Sequence, residues 1–248
     1  MRRILQKLRF FIFLLPVIVQ AQNPVQEISS QTNDYLKEIK EEMKKEWPDN
    51  RTVNLVFHGH SVPSGYFKTP VVNTFGSYPF LVLKQLKTMY PNAVINVIIT
   101  AIGGENSLQG VKRFEKTVLN HSPDVLFIDY ALNDVRAGLA RSKEAMETMI
   151  KQALEKGIKV ILLTPSPNMS YDWIKPGNPL EQFTNQIIGL SGQYKIGIVD
   201  SYALFRNWTM RSGTGADSTA VTPLMSQTNH PNEKGHQLIA DEIVKWFK

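Results

Sequence analysis

The 248-residue sequence contains no cysteine, and this absence removes several kinds of chemistry at once. Disulfide bonds, a thiolate nucleophile and cysteine-ligated zinc sites are all excluded. The stability of the fold must therefore come from the packing of its core. A chain of this length with 42% hydrophobic residues can bury one sizeable core, so we expect a single folded domain.

A hydrophobic run long enough to cross a membrane is also missing. The longest run, Phe10 to Val19, has about ten residues, whereas a membrane-spanning helix needs roughly twenty. Four basic residues precede this run and the small Ala21 follows it, which is typical of a cleaved signal peptide over residues 1–21. We predict an exported protein, periplasmic or secreted, that keeps no stable membrane anchor after cleavage.

Beyond residues 1–21 the chain lacks a strong charge of either sign. The formal net charge of the full chain is +6, but the first 21 residues hold four basic and no acidic residues. The remainder has 24 basic against 22 acidic residues, a net charge of +2. This near balance predicts that neither nucleic acid nor another polyanion is a partner.

Short apolar runs alternate with helical patterns along the rest of the chain. Strands are predicted at 53–57, 94–99, 125–128, 160–163 and 196–199, and helices at 33–47, 78–89, 108–119, 142–156, 180–194 and 233–247. This alternation implies a parallel sheet with right-handed crossovers. We assign residues 22–50 to a leader and covering helix and 51–248 to one domain, with irregular loops at 165–179 and 206–223.

Polar clusters follow the predicted strands, where open α/β sheets bind their ligands. The first strand leads into Gly59-His60-Ser61, the second into Gly103-Gly104 and the third into Asn133-Asp134, while His230-Pro231-Asn232 precedes the last helix. Each cluster alone has an ordinary explanation as a cap or turn. Together they favour catalysis, because a serine hydroxyl is inert without a base and an imidazole is the usual one.

This series of clusters resembles the SGNH/GDSL hydrolases, whose name lists their Ser, Gly, Asn and His, and the resemblance runs from about residue 53 to 248. It implies a three-layer α/β/α sandwich with a five-stranded parallel sheet of the flavodoxin-like kind. It further implies a serine esterase that needs no cofactor, with Ser61 as nucleophile and His230 as base. The Ser61 amide, the Gly104 amide and the Asn133 side chain would form the oxyanion hole, although Gly103 competes with Gly104.

The sequence departs from the family pattern at two positions. The Asp of the family's Gly-Asp-Ser motif is replaced by His60, and the Asp three residues before the catalytic His is replaced by Gln227. A carboxylate at that second position would fix the tautomer of the imidazole. Gln227, a backbone carbonyl or Asp217 are the alternatives for this role, and we favour a Ser-His dyad held by Gln227 or a carbonyl.

Further candidates concern substrate and metal binding. Trp173 and Trp208 fall in the two predicted loops, where aromatic rings either stack on a sugar or acyl group or pack inward as anchors. We name both, with His60, as candidate substrate contacts. His58 and His60 form a His-x-His pair, but no carboxylate or cysteine has a supporting spacing, so we predict no metal.

The resemblance and the predicted export lead to one main hypothesis. We expect an exported esterase that removes small acyl groups, above all acetyl, from carbohydrate or related esters. A lysophospholipase or arylesterase is the alternative enzyme. A catalytically inactive relative that only binds glycans is the alternative from another class, and for it His60 and Gln227 would be signs of decay.

Overall fold

The structure is a computed structural model that describes residues 34–211 and 218–248. The predicted signal peptide (1–21), most of the leader and Asp217 lie outside these described residues. The helices are α1 (Lys37–Lys44), α2 (Tyr78–Met89), α3 (Ser107–Thr117), α4 (Leu139–Glu155), α5 (Pro179–Tyr194), α6 (Ser201–Arg211) and α7 (Glu233–Val244). The strands are β1 (Thr52–Gly59), β2 (Val94–Ile99), β3 (Val125–Asp129), β4 (Lys159–Leu163), β5 (Gly197–Val199), β6 (Met225–Gln227) and β7 (His230–Pro231). None of the helices in these ranges is long and apolar enough to cross a membrane.

Strands β1 to β5 form one parallel sheet in the order β2-β1-β3-β4-β5. This order is that of flavodoxin-like doubly wound folds. One hydrophobic core lies between the sheet and α1, α2, α6 and α7, and a second lies between the sheet and α3, α4 and α5. The predicted three-layer α/β/α sandwich is therefore confirmed.

The central strands are mainly apolar because both faces of the sheet are covered. In β1, Leu55 and Phe57 face one core and Val56 faces the other, and all three are fully buried. Phe57 stacks on Phe127 of β3 with 4.4 Å between ring centroids. This packing fixes the register of the central strands, and with it the positions of the loops that follow them.

The carboxyl ends of the central strands lie side by side. Phe57 pairs with Ile99 of β2, and Gly59 pairs with Asp129 of β3. The three polar clusters that follow β1, β2 and β3 therefore emerge at one edge of the sheet. The short antiparallel pair β6–β7 carries His230.

Two local predictions are wrong. The segment 206–223 is not a loop at its start, because α6 extends to Arg211, and its buried Tyr202, Phe205 and Thr209 recur at helical spacing. The first helix is shorter than predicted, since Lys45 adopts an extended backbone and ends it. Trp47, at the end of the predicted helix, lies beyond the observed one and is 86% exposed.

Candidate active site

Ser61 lies in a tight turn directly after β1. The turn is closed by backbone hydrogen bonds from Gly65 to Val62 (2.9 Å) and from Tyr66 to Ser61 (3.0 Å). The buried Val62 side chain anchors the turn in the core. Ser61 itself is only 7% exposed, so its hydroxyl is held at the base of a cavity.

His230 faces Ser61 from the opposite side of this cavity. Its Nε2 lies 2.8 Å from Ser61 Oγ, so a neutral imidazole protonated at Nδ1 accepts the serine proton. Burial lowers the pKa of His230 below its usual value, nearby His60 lowers it further, and the backbone carbonyl of Phe67 raises it. Asn232 caps α7 by accepting from the Lys234 and Gly235 amides, which fixes the loop that carries His230.

Gln227 does not orient the imidazole, contrary to one of the predicted alternatives. Its Oε1 accepts a hydrogen bond from the Thr69 amide at 2.8 Å, and Nδ1 of His230 has no hydrogen-bond partner of normal geometry within the described residues. The group that interacts with the imidazole is the Phe67 carbonyl, on the same loop as Thr69. Gln227 therefore ties down the loop that carries this carbonyl.

The predicted oxyanion donors line the same cavity, which has a volume of about 370 Å³. Gly104 has a φ of +78°, a conformation that favours glycine. The Asn133 Nδ2 donates to the carbonyl of Glu105 at 3.0 Å, and its second hydrogen is left for another acceptor. The structure thus brings together Ser61, Gly103, Gly104, Asn133, Gln227 and His230.

A buried polar network lies behind Gly104 and Asn133. The Glu105 carboxylate accepts from Arg113 through Nε and a terminal nitrogen, at 2.7 and 2.6 Å, and from the Tyr130 hydroxyl at 2.6 Å. The Tyr130 oxygen also lies 3.1 Å from His58 Nε2, and His58 Nδ1 lies 3.0 Å from Thr100 Oγ1. Burial keeps the pKa of His58 at about 3, so this imidazole is neutral. Both of its ring nitrogens contact this network, so His58 does not share a ligand with His60.

Asp134 extends this support on the next loop. It is fully buried, and its carboxylate accepts from the Ser107 amide at 2.8 Å and the Ser142 hydroxyl at 2.6 Å. These bonds join the loop after β3 to the first turn of α3. Sequence reasoning missed Glu105 and Tyr130, although Glu105 directly follows the glycine pair and Tyr130 directly follows β3.

His60 is not a substrate contact. It is 1% exposed, its Nδ1 accepts from the Val62 amide at 3.2 Å, and its Nε2 lies 3.4 Å from Asp129 Oδ1 without hydrogen-bond geometry. The Tyr78 hydroxyl donates to the other Asp129 oxygen at 3.0 Å. His60 therefore packs beneath Ser61 beside a carboxylate supplied by the neighbouring strand. In residues 34–211 and 218–248, no three side chains of metal-binding type are grouped.

The two tryptophans named as substrate contacts lie elsewhere. Trp173 is fully buried and packs edge-on against Tyr202 at 5.9 Å, because its loop folds inward onto α6. Trp208 lies on α6 and lines a separate cavity with Leu204 and Leu238. The aromatic residue that does line the cavity of Ser61 is Tyr66, which sequence reasoning did not single out.

Comparisons with known proteins agree with this architecture. A family model described as GDSL-like lipase/acylhydrolase matches residues 57–238. The search of curated proteins gives no match. The matched range includes Ser61, Gly104, Asn133 and His230.

Several solved structures of esterases share the fold. An acetylxylan esterase from Geobacillus stearothermophilus has a TM-score of 0.66 at 19% identity, over 79% of this chain and 94% of that chain. A two-domain esterase active on acetylated mannans has a TM-score of 0.68 at 21% identity, over 87% of this chain and 52% of that chain. The acetyl xylan esterase AlAXEase has a TM-score of 0.65 at 21% identity, over 77% of this chain and 98% of that chain. At these identities the likeness shows the fold.

Proposed function

Because this chain belongs to the GDSL-like lipase/acylhydrolase family, it is a carboxylic ester hydrolase, and we propose that it is an exported esterase that removes acetyl groups from carbohydrate esters. The observation that carries a Ser-His mechanism is the 2.8 Å contact between His230 Nε2 and Ser61 Oγ. The proposed substrate is supported by the similar structures, which belong to esterases of acetylated xylan and mannan. We assign residues 1–21 to the signal peptide and 51–248 to the hydrolase domain.

In the proposed first half-reaction, Ser61 Oγ attacks the carbonyl carbon of the ester while His230 Nε2 takes the hydroxyl proton. The carbonyl π electrons move to the oxygen, and a tetrahedral intermediate forms. Its collapse breaks the bond to the alcohol, and the imidazolium returns the proton to the leaving alkoxide. The products of this step are a free alcohol and an acetyl group bound to Ser61.

In the second half-reaction, water attacks the acetyl group on Ser61. His230 takes the water proton and then returns a proton to Ser61 Oγ as acetic acid leaves. Its lowered pKa favours the neutral form of His230, which is the form competent as a base. The reaction balances without a metal or an organic cofactor.

The developing oxyanion would be met by three donors, the amides of Ser61 and Gly104 and the Asn133 Nδ2. Donors held in place before the reaction stabilise this charge without the cost of reorienting. The hydrogen bond from Asn133 to the Glu105 carbonyl and the buried partners of the Glu105 carboxylate supply such rigidity. We assign Glu105 as a positioning residue of the oxyanion hole.

The imidazole would be oriented without a carboxylate. The Phe67 carbonyl is the acceptor we assign to the Nδ1–H of His230, and it fixes the tautomer that leaves Nε2 free to accept. A carbonyl does this without a full negative charge, so it stabilises the imidazolium less than an aspartate does. We therefore propose a Ser-His dyad whose imidazole is oriented by a backbone carbonyl.

The first test is hydrolysis of p-nitrophenyl acetate, butyrate and octanoate by residues 22–248, with the Ser61→Ala and His230→Ala variants. We expect the highest rate on acetate and a loss of at least about a thousandfold in both variants. A preference for octanoate would favour the lysophospholipase alternative. Unchanged rates in Ser61→Ala, or no labelling of the parent by a fluorophosphonate, would leave the glycan-binding alternative.

The proposed export has its own test. When the full chain is expressed in a Gram-negative bacterium, the protein should be found in the periplasm or the medium, and its N-terminus should be Gln22. A cytoplasmic product that begins at Met1 would overturn the assignment of residues 1–21.

A further inference from the structure

A second cavity, of about 520 Å³, adjoins the one that holds Ser61. It lies over the carboxyl end of the edge strand β2, between the oxyanion loop and the start of α2. Its lining is mainly apolar, with Val72, Phe80, Val97, Ile99 and Ile102, and no lining residue is charged. We call it the edge cleft.

The edge cleft shares part of its wall with the catalytic cavity. Tyr66 and Gly103 line both. The Tyr66 ring lies between Gly103 and His230, since a Cβ on Gly103 would be 3.0 Å from the ring and the ring centroid is 6.1 Å from that of His230. A substrate whose ester lies at Ser61 therefore has only the Tyr66 side chain and Gly103 between it and the edge cleft.

The rim of the edge cleft carries exposed apolar side chains. Phe75 is 82% exposed, Val71 58%, Ile102 49% and Val72 44%. The Phe75 ring packs edge-on against Phe80 of the cleft wall at 5.6 Å, and most of its surface remains open to solvent. Apolar groups exposed together at a cleft mark a binding surface, whereas scattered single ones do not.

Hydroxyl groups are interleaved with these apolar side chains. Ser64, Tyr66 and Thr74 line the edge cleft, and the Ser64 hydroxyl donates to the His60 carbonyl at 2.9 Å, which leaves its lone pairs free to accept. An uncharged ligand with apolar faces and hydroxyl edges satisfies such a lining. A sugar ring has this character, while an alkyl chain gives the hydroxyls no partner.

We propose that the edge cleft binds the sugar chain that carries the ester, with Phe75 stacked on one ring and Tyr66 beside the ring that bears the acetyl group. This inference rests on the proposed function and adds the site and the class of the alcohol, an uncharged oligosaccharide. The acyl group then occupies the catalytic cavity, and the edge cleft decides which alcohols are accepted.

The test compares two substrates in one set of variants. In Phe75→Ala, kcat/KM on acetylated xylo-oligosaccharides should fall about tenfold more than on p-nitrophenyl acetate, through a higher KM, since a stacked ring is worth roughly this factor. Thr74→Val, which keeps the shape and removes the hydroxyl, should show a smaller selective loss in the same direction. Trp47→Ala removes an equally exposed aromatic ring at the opposite end of β1 and should change neither substrate.

Two results would overturn the proposal. Equal changes on both substrates in Phe75→Ala would show that the ring has no role in recognising the alcohol. A change in the ratio of octanoate to acetate hydrolysis, with the oligosaccharide ester unaffected, would assign the edge cleft to the acyl chain.

A separate binding measurement keeps this inference distinct from the proposed chemistry. Deacetylated xylo-oligosaccharides should bind Ser61→Ala protein by calorimetry, and Phe75→Ala in that background should weaken binding about tenfold. If the parent hydrolyses no ester yet this loss is seen, the proposed function fails and the edge cleft stands. If esters are hydrolysed and no oligosaccharide binds, the edge cleft assignment fails alone.

Discussion

The two sides of the catalytic cavity are built differently. On the side of Gly104 and Asn133, the buried carboxylates of Glu105 and Asp134 are saturated with hydrogen bonds. On the side of His230, Nδ1 has no hydrogen-bond partner of normal geometry within the described residues, and the Phe67 carbonyl belongs to a loop that Gln227 holds through the exposed Thr69 amide. Saturated buried networks are rigid, so the side that carries the proposed oxyanion donors is held more firmly than the side that carries the proposed base.

Among the residues around Ser61 and His230, the largest expected effect comes from removing a donor on the rigid side. Asn133→Ala should lower kcat on p-nitrophenyl acetate by about a hundredfold to a thousandfold, because one oxyanion donor is worth that much. Asn229→Ala removes a carboxamide that lines the same cavity and serves as the matched control. A loss of less than fivefold in Asn133→Ala would remove this residue from the oxyanion hole.

A second, smaller effect should follow from loosening the network behind that donor. Glu105→Gln keeps the side chain's shape but weakens the charge-assisted bonds to Arg113 and Tyr130, and we expect kcat to fall about tenfold with KM nearly unchanged. The melting temperature should also drop, since Arg113 loses its charged partner. If stability falls while kcat holds, Glu105 supports the fold and does not position the oxyanion hole.

The rigid side should also be sensitive to acid. The pKa of His58 is about 3 in the folded protein and about 6.5 when unfolded, so between these values the unfolded state binds more protons and stability falls as pH falls. The slope from this residue is about 1 kcal/mol per pH unit. Urea unfolding at pH 7.5 and 5.0 should therefore show a smaller pH-dependent loss in His58→Gln than in the parent. The exposed His121 is the control, and an equal slope in His58→Gln and His121→Gln would contradict this assignment.

The smallest effect is expected on the histidine side. Gln227→Ala removes the acceptor of the Thr69 amide, but water can replace it at this exposed position, so kcat should fall only about threefold. The Phe67 carbonyl raises the pKa of His230. If this carbonyl moves away from the imidazole, the pKa should fall, and the acid limb of the kcat/KM profile should move towards lower pH. A loss as large as that of Asn133→Ala would reverse the comparison between the two sides.

The parts that the sequence predicted are those set by local pattern. Short apolar runs separated by helical patterns located all five strands of the main sheet, and the motif residues after them are brought into one cavity with His230. Prediction failed where tertiary packing decides. Trp173 turns inward because Tyr202 and the rest of α6 offer it a buried surface. Helix α6 itself was not predicted, because polar residues between its buried positions obscure their helical spacing.

A backbone carbonyl was one of the predicted alternatives for orienting His230, but the sequence could not show which residue supplies it. The group that interacts with its imidazole is a backbone carbonyl, and every residue carries one, so no side-chain pattern marks Phe67. The role of Gln227 was equally hidden, because its partner, the Thr69 amide, lies 158 residues away. Glu105 could have been suspected, since a charged residue next to a glycine pair at a strand end needs a partner when buried.

The contact between Gly103 and Tyr66 also constrains how this sequence can change during evolution. A Cβ on residue 103 would lie 3.0 Å from the ring carbons of Tyr66, so a side chain at 103 must displace this ring or be matched by a smaller residue at 66. The same exchange would open the wall between the two cavities. Among homologues, positions 66 and 103 are therefore expected to covary, and a change at this pair should accompany a change in the alcohols that the enzyme accepts.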